Sequence, residues 1–222
     1  MRSSPEGVVN PTLVDLGRGD GAPGACLAWR LAPPMLAISS SIVGGGIGSV
    51  SWVLNLTVDA DYSRLDPVEH LGEVAERLRL TGRGVGLMTA VDVATWTTAN
   101  ADGATVCATV GVRRPVWAAD RQRTAVSAGV QPGTINLVAA VPMRLSEAAL
   151  VNVVATITEA KVQALFDHQI AGTGTASDAV CVLCPIGGGG EELFGGPRST
   201  WGGRLAQGTY DAVSAGIARQ RS

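Results

Sequence analysis

Apolar residues along this chain fall into short continuous runs separated by glycine, proline and polar turns, a pattern that predicts β-strands. Two segments instead repeat apolar residues at helical spacing, and a third helix closes the chain. The predicted helices cover residues 66–82, 147–168 and 201–219. The predicted strands cover one or two segments within 8–30, then 35–43, 50–58, 84–92, 105–112, 116–119, 133–142 and 178–186. These elements predict a single α+β domain over residues 1–222, a mixed β-sheet or sheets layered with three to four helices. A four-layer αββα sandwich is the alternative.

The first two helices have recognisable start signals. Asp66 is placed to cap the first helix, with Pro67 at its first position and Glu69 as a capping-box partner. Ser146 is placed to cap the second helix. Pro33 and Pro34 are expected to lead into the strand at 35–43, because proline cannot supply a backbone N–H to a sheet.

A long uncharged segment lies between Arg30 and Asp59, and its middle runs from three serines into three glycines. It is long enough to cross a membrane as a helix. However, its prolines, serines and glycines are poor helix formers, and no cluster of basic residues flanks it. We therefore predict two strands joined through a glycine turn, and no membrane span.

The composition of the chain bears on which partners it could bind and where it could function. The chain has 222 residues, 46% of them hydrophobic and 16% charged, with a formal net charge of −2. This balance lacks the excess of positive charge that is typical of proteins that bind nucleic acid. The first residues lack the apolar stretch of a secretory signal, so a cytoplasmic location with four reduced cysteines is expected. Cys181 and Cys184 have metal-ligand spacing but would point to opposite faces of a strand, so no metal site is predicted.

Catalytic candidates come from one helix face and its neighbouring loops. Neither His70 nor His168 has a spacing that suggests a Ser-His-Asp triad. The second helix instead carries a polar stripe at helical spacing, formed by Asn152, Thr156, Glu159 and Gln163. Glycine- and hydroxyl-rich loops at 133–136 and 172–178 adjoin it. Glu159 or Asp178 could act as general base, Lys161 as electrostatic stabiliser, and a serine or threonine as nucleophile. A solvated helix face is the alternative interpretation of the stripe.

Several blocks of the chain together resemble the adenosylcobinamide amidohydrolase (CbiZ) family. They occur in the family's order over roughly residues 35–215: the serines at 39–41 with the glycines at 44–48, Asn55, Asp61-Tyr62 and Asp66-Pro67; residues 86–90 with Asp92; 133–136, 145–146 and 156–167; 173–175 with 178–180; and Gly196-Pro197 with Trp201 and Leu205. Together the blocks are far more specific than any one of them.

The resemblance implies a hydrolase of the amide that joins aminopropanol to the corrin ring of adenosylcobinamide, with the corrinoid as substrate and no cofactor. On this interpretation Glu159 is the first choice for acid–base catalysis and Lys161 for electrostatic support, while water, Ser40, Ser41 or Thr134 attacks the amide. The expected substrate-binding residues are Gly44, Gly45, Gly46, Asn55, Thr89, Asp92, Asn136, Thr173, Thr175 and Arg198. The oligomeric state is left open, and a homo-oligomer is compatible with the sequence.

Two departures from the family pattern keep other functions in view. Arg198 stands where relatives often carry histidine, and Ala176 and Ser177 are additional residues before Asp178. Arginine stays protonated and cannot replace a proton-transferring histidine. A non-catalytic corrinoid-binding domain is therefore one alternative, and an amidase or aminopeptidase acting on another substrate is a second.

Overall fold

The computed structural model describes residues 9–17, 24–59, 62–120, 133–188 and 190–221, so that Asp61 and most of the predicted glycine turn at 17–21 lie outside the described residues. Within these ranges the chain forms ten strands, three α-helices and one 3₁₀ helix. The strands are β1 Thr12–Asp15, β2 Ala25–Ser39, β3 Gly46–Thr57, β4 Gly84–Thr89, β5 Thr97–Ala101, β6 Ala104–Val110, β7 Ile135–Ala140, β8 Arg144–Leu145, β9 Ala179–Pro185 and β10 Glu191–Glu192. The helices are α1 Pro67–Arg77, α2 Glu147–Asp167 and α3 Thr200–Arg221, with the 3₁₀ helix at Val93–Thr95.

One mixed sheet of eight strands organises the fold. Its order is β4-β3-β2-β9-β7-β6-β5, and β1 pairs with the first half of β2. The pairs β3–β4 and β7–β9 are parallel and the others are antiparallel. The short strands β8 and β10 form a separate parallel pair. The predicted α+β fold with a mixed sheet and three helices is confirmed.

The sheet curls so that its two halves face each other. Along each strand, alternate residues belong to different apolar clusters. One cluster packs α1 on β2 and β3, and another packs α2 and α3 on β6, β7 and β9. The third cluster lies between the two halves and includes Trp29, Val53, Val138 and Leu183. The layers therefore follow the order of an αββα sandwich, although both central layers belong to one hydrogen-bonded sheet.

The uncharged segment between Arg30 and Asp59 forms β2 and β3, as predicted. Of the described helices, α2 alone is long and apolar enough to cross a membrane, and half of its most apolar window is buried within the fold. Cys181 and Cys184 lie in the clusters on opposite faces of β9, as their spacing predicts. Burial raises the pKa of the Cys181 thiol to about 12, so this thiol behaves as a neutral core side chain.

Some predicted boundaries were wrong. The strand expected at 35–43 begins much earlier, because β2 continues through Pro33 and Pro34 with a shift of register between Arg30 and Met35. Helix α1 ends at Arg77 rather than near 82. The Asp66 side chain makes no capping hydrogen bond, since both of its oxygens accept from Arg64.

Other strand predictions were also incomplete. β5, β8 and β10 were not predicted. The strand predicted at 116–119 is reduced to a single bridge between Val116 and Gly174.

Gly44 and Gly46, at the turn that leads into β3, differ in how much room their surroundings leave for a side chain. Gly44 and Gly46 both have positive φ, but a Cβ on Gly44 would lie 1.9 Å from Gly84 O, whereas a Cβ on Gly46 would meet nothing within 4 Å. We expect Gly46→Ala to cost only the left-handed backbone penalty, about 1–2 kcal/mol. Gly44→Ala should cost at least about 1 kcal/mol more, because β4 must move to make room for the Cβ. Urea denaturation of both variants measures the difference, and equal losses would contradict the close approach of the two strands.

Candidate active site

A cavity of about 320 Å³ lies where the end of β2, the middle of β4, the start of β7 and the loop before β9 meet. Three of the residues that line it carry hydroxyl groups, one carries a carboxamide and one a carboxylate. The full lining is Ser40, Ser41, Ile42, Gly86, Leu87, Met88, Asn136, Ser177, Asp178 and Ala179. Because β7 and β9 are parallel and Asn136 pairs with Ala179, Asn136 lies beside the loop that precedes β9, where both strands begin.

The serines at the end of β2 have different roles. Ser39 is buried and its hydroxyl donates to Val180 O or Ser41 Oγ, at 3.0 and 3.1 Å. Ser41 Oγ donates to Val43 O at 2.6 Å and so stabilises the turn. Ser40 is exposed, lines the cavity and accepts from Val180 N at 3.1 Å. Of the three hydroxyl groups, that of Ser40 makes the fewest hydrogen bonds within the protein.

Asp178, which lines the cavity, is held in a buried ion pair with Lys161. Lys161 Nζ lies 2.6 Å from Asp178 Oδ2, and the two side chains are only 9% and 13% exposed. Lys161 extends from the buried face of α2, and Asp178 ends the loop that follows that helix. Gly174 permits this contact, because a Cβ there would lie 2.4 Å from Asp178 Oδ2 and 2.7 Å from Lys161 Nζ. A charge pair in such a place requires good geometry and further hydrogen bonds.

Asp178 receives those further bonds from the backbone and from a threonine. Its Oδ1 accepts from Ile135 N at 2.9 Å and from Thr175 Oγ1, while its Oδ2 also accepts from Thr175 N at 3.1 Å. Together with Lys161, this makes four donors for about four lone-pair positions. The carboxylate is therefore fully engaged in holding α2, β7 and the loop together.

Asparagine side chains connect the two halves of the sheet beside the cavity. Asn136 Nδ2 donates to Asn55 Oδ1 and to Met88 O, each at 2.9 Å, and Asn55 Nδ2 donates to Thr109 Oγ1 at 3.0 Å. Asn55, Thr109 and Asn136 are all buried. The remaining atom of this network, Asn136 Oδ1, has no hydrogen-bond partner among the described residues.

Thr134 lies directly before β7 and is also buried. Its hydroxyl is 3.0 Å from Ser177 Oγ, and Ser177 is exposed at the cavity. A hydroxyl pair therefore stands beside the fully bonded Asp178. Five of the predicted site residues, Ser40, Ser41, Thr134, Asn136 and Asp178, are brought together at or next to this cavity, with Lys161, Thr175 and Asn55 in direct contact with them.

Other predicted site residues lie elsewhere. Glu159 is exposed on α2, two residues from buried Lys161, and residues two apart on a helix do not face each other. Gly44 packs against β4 and Gly45 against Ser41 O, and neither they nor Gly46 line the cavity. Arg198 is exposed and lines a different cavity, of about 490 Å³, next to Phe194.

The remaining predicted binding residues have local structural partners. Thr89 is buried and its hydroxyl accepts from Val91 N, and Asp92 caps the 3₁₀ helix by accepting from Ala94 N. Thr173 Oγ1 accepts from Ala118 N at 2.9 Å, which joins residues 116–118 to the loop that carries Asp178.

Ser177, Ile42 and Thr109 were not among the site residues predicted from the sequence. Ser177 was noted only as an additional residue before Asp178, and its presence in a loop rich in hydroxyl groups is the signal that could have singled it out. Thr109 sits within a buried apolar strand, and its pairing with Asn136 across β6 and β7 depends on a register that the sequence does not reveal.

A larger cavity of about 830 Å³ lies near Pro33, Pro142 and Pro185. Of the described residues that line it, Arg30 has the one ionisable side chain, and none carries a hydroxyl or thiol. Although this cavity is larger, its described lining offers no hydroxyl or thiol that could act as a nucleophile. The smaller cavity beside Asp178 is the candidate active site.

Fold and cavity together define a layered α+β protein with a candidate small-molecule site lined by hydroxyl and amide groups. The family model for adenosylcobinamide amidohydrolase (CbiZ) matches residues 15–222. The adenosylcobinamide amidohydrolase of Methanosarcina mazei is 27% identical over 189 residues, which are 82% of this chain and 89% of that protein. The one of Halobacterium salinarum is 53% identical over 58 residues, 26% of this chain and 24% of that protein.

Two solved structures are also similar. A β-aminopeptidase from Burkholderia sp. and the PH0078 protein from Pyrococcus horikoshii OT3 have TM-scores of 0.48, with 13% and 14% identity respectively. Each alignment covers 95% of this chain and 83% of the other. By the match of its family model over almost its whole length, the chain belongs to the adenosylcobinamide amidohydrolase family.

Substitutions in the buried ion pair test how much it contributes to the stability of the protein. Lys161→Met leaves the Asp178 charge without its cation, and we expect it to lower the free energy of unfolding by about 3–5 kcal/mol. Adding Asp178→Asn should recover part of this loss, because no unpaired charge then remains. Urea denaturation of both single variants and the double variant gives the coupling energy.

The pair between Arg144 and Glu191, 3.4 Å apart and with side chains 23% and 45% exposed, provides a more solvated control. Glu191→Gln should change stability by no more than about 1 kcal/mol. A loss of similar size in Lys161→Met would contradict the burial of the Lys161–Asp178 pair.

Proposed function

We propose that this protein hydrolyses the amide joining aminopropanol to the corrin ring of adenosylcobinamide, which yields adenosylcobyric acid and aminopropanol in corrinoid salvage. Membership of the adenosylcobinamide amidohydrolase family over residues 15–222 supports this activity. The structural observation that carries the proposal is the cavity where Ser40, Ser177 and Asn136 stand beside the buried Lys161–Asp178 pair. The cytoplasmic location and the oligomeric state remain predictions.

The size of the cavity indicates which part of the substrate enters. A space of about 320 Å³ is at the lower end of the range for drug-sized ligands, and a corrinoid is far larger. We therefore place the amide arm of the substrate in this cavity and the apolar corrin plate outside it. Ile42, which lines the cavity and is 60% exposed, offers an apolar contact at its rim.

Asp178 and Lys161 act in this proposal as positioning groups. Because Asp178 already accepts four hydrogen bonds, it has no lone pair free to take a proton from water or from a hydroxyl. Its role is to hold the loop that presents Ser177 and the start of β7 that presents Asn136. Lys161 balances its charge.

Among the predicted nucleophiles, Ser40 is the one we favour. Thr134 is buried behind Ser177, and the Ser41 hydroxyl is donated to Val43 O. Ser40 is exposed and lines the cavity, and its Oγ accepts the Val180 N–H, a bond that would stabilise the alkoxide form of this hydroxyl. The predicted role of Glu159 in acid–base catalysis remains open to experiment, since this side chain lies on the exposed face of α2.

The non-catalytic alternative rested on Arg198 in place of histidine. Because Arg198 does not line the cavity that contains Ser40 and Asp178, this substitution leaves the described lining of the proposed site intact. We therefore retain hydrolysis as the function.

Turnover provides the first test. Purified protein incubated with adenosylcobinamide should release adenosylcobyric acid, detected by its mass. We expect Glu159→Gln to retain turnover within about tenfold, because its side chain is exposed on the opposite side of α2 from Lys161; loss of a general acid or base would instead cost about 10²–10⁴-fold. Tight binding without product would support the non-catalytic alternative, and cleavage of peptide amides without cleavage of the corrinoid would support an amidase of another substrate.

Ser40→Ala tests the assignment of the nucleophile. Removal of the attacking oxygen should lower kcat at least about a hundredfold, while the affinity for adenosylcobinamide measured by spectroscopic titration should change little. Ser177→Ala, which removes the other exposed hydroxyl of the cavity, is the matched variant and should have a smaller effect on kcat. A near wild-type kcat in Ser40→Ala would rule out Ser40 as the nucleophile.

A further inference from the structure

We infer that Arg83 is a positioning residue for the candidate active site, because its guanidinium holds the glycine-rich segment at 44–48 against the start of β4. The inference rests on the proposed function and adds to it a residue that does not touch the substrate. Residues 40–42, just before the glycines, and residues 86–88, just after Arg83, form two facing walls of the cavity. Arg83 would therefore fix how far apart these walls stand.

Backbone carbonyl groups of the glycine-rich segment converge on the Arg83 guanidinium. Its Nη2 donates to Gly44 O and Gly45 O, each at 3.2 Å, and its Nη1 donates to Ile47 O at 3.4 Å. Arginine suits this place because its planar fork presents several N–H groups in fixed directions, whereas the ammonium of lysine acts as a point charge. A single side chain thus ties down the segment at three carbonyl groups.

Gly48 leaves the space in which the guanidinium lies. A Cβ on Gly48 would be 2.7 Å from Arg83 Cζ and closer still to Arg83 Nη1, and the three nearest atoms all belong to Arg83. Gly48 lies within β3 and its φ is not positive, so its backbone would accept a side chain. The last glycine of the motif therefore makes room for Arg83 rather than for a ligand.

The backbone near Arg83 joins the same two walls. Arg83 O accepts from Ser51 N at 2.8 Å, which holds the start of β4 beside β3. Val43 and Gly86 form an isolated antiparallel bridge, in which Gly86 N donates to Val43 O at 3.1 Å. The glycine-rich segment follows Val43 directly, so the guanidinium closes the other end of this contact. With both contacts made, the two cavity walls are held at a fixed separation.

The first test compares Arg83→Met with Arg83→Lys. Methionine keeps an apolar stem without donors, whereas lysine keeps the charge on a single nitrogen. In Arg83→Met we expect kcat for adenosylcobinamide to fall about tenfold, because a misplacement of about 1 Å at reacting groups can cost about a hundredfold. The affinity measured by titration should change little, since the corrin plate stays outside the cavity. Arg83→Lys should recover part of the loss.

Gly48→Ala displaces the guanidinium without altering Arg83 itself. We expect it to lower kcat as Arg83→Met does, and to lower it no further when added to Arg83→Met, because the atoms that the new Cβ would meet are then absent. Urea denaturation gives a readout that does not need turnover: Gly48→Ala should shift the midpoint when Arg83 is present and leave it unchanged in Arg83→Met.

Arg30→Met is the matched control. Arg30 is also exposed and donates to one backbone carbonyl, Leu78 O, at 2.6 Å, but it does not line the candidate active site. This variant should retain kcat within about twofold, as is usual for a surface substitution away from a site.

An unchanged kcat in Arg83→Met would overturn the inference, whatever happens to its melting temperature, because a merely structural role would lower stability alone. A further loss of kcat when Gly48→Ala is added to Arg83→Met would also overturn it, as would a midpoint shift by Gly48→Ala that does not depend on Arg83. If Arg83→Met does not fold, Arg83→Gln takes its place with the same result expected. Wild-type protein that neither binds nor cleaves adenosylcobinamide would overturn the proposed function itself, and the midpoint comparison would still decide whether Arg83 anchors the segment.

Discussion

The Lys161–Asp178 pair joins parts of the chain that are distant in sequence, and the shape of the candidate site depends on it. Asp178 needs a cation because it is almost fully removed from water, and Lys161 supplies one from the inner face of α2. The carboxylate in turn receives the backbone N–H groups of Ile135 and Thr175. One charge therefore fixes the start of β7, the loop before β9 and the position of the helix, and the cavity is what remains between them.

A second buried polar layer lies at the same end of the molecule. The space between the halves of the sheet is mostly apolar, but Asn55, Thr109 and Asn136 replace apolar contacts there. A core that is apolar throughout would pack as well without them, and buried polar groups carry a cost unless every atom is bonded. Local exceptions of this kind are typical of functional sites, where the general rules of core packing give way to chemistry.

The sequence predicted most helices and central strands because their signals are local. Ser146 caps α2 as its position indicated, and β4, β7 and β9 lie within the predicted apolar runs. The site was harder to predict, because helical spacing shows which residues share a face but not which face is covered. Glu159 and Lys161 were both chosen as catalytic candidates, whereas the fold exposes the first and buries the second against Asp178. Asp66 failed as a cap for a related reason, since Arg64 competes for its oxygens.

The charge balance of the cavity explains what kind of ligand it suits. Of the described residues that line it, Asp178 alone is ionisable, and Lys161 neutralises it while all its acceptor positions are filled. What remains for a ligand is the set of hydroxyl groups of Ser40, Ser41 and Ser177. Such a set satisfies a neutral carboxamide, which offers both a donor and an acceptor, but leaves a carboxylate without a cation. The same ion pair that shapes the cavity thus also keeps it electrically neutral, and a neutral amide is the substrate that loses least on entering it.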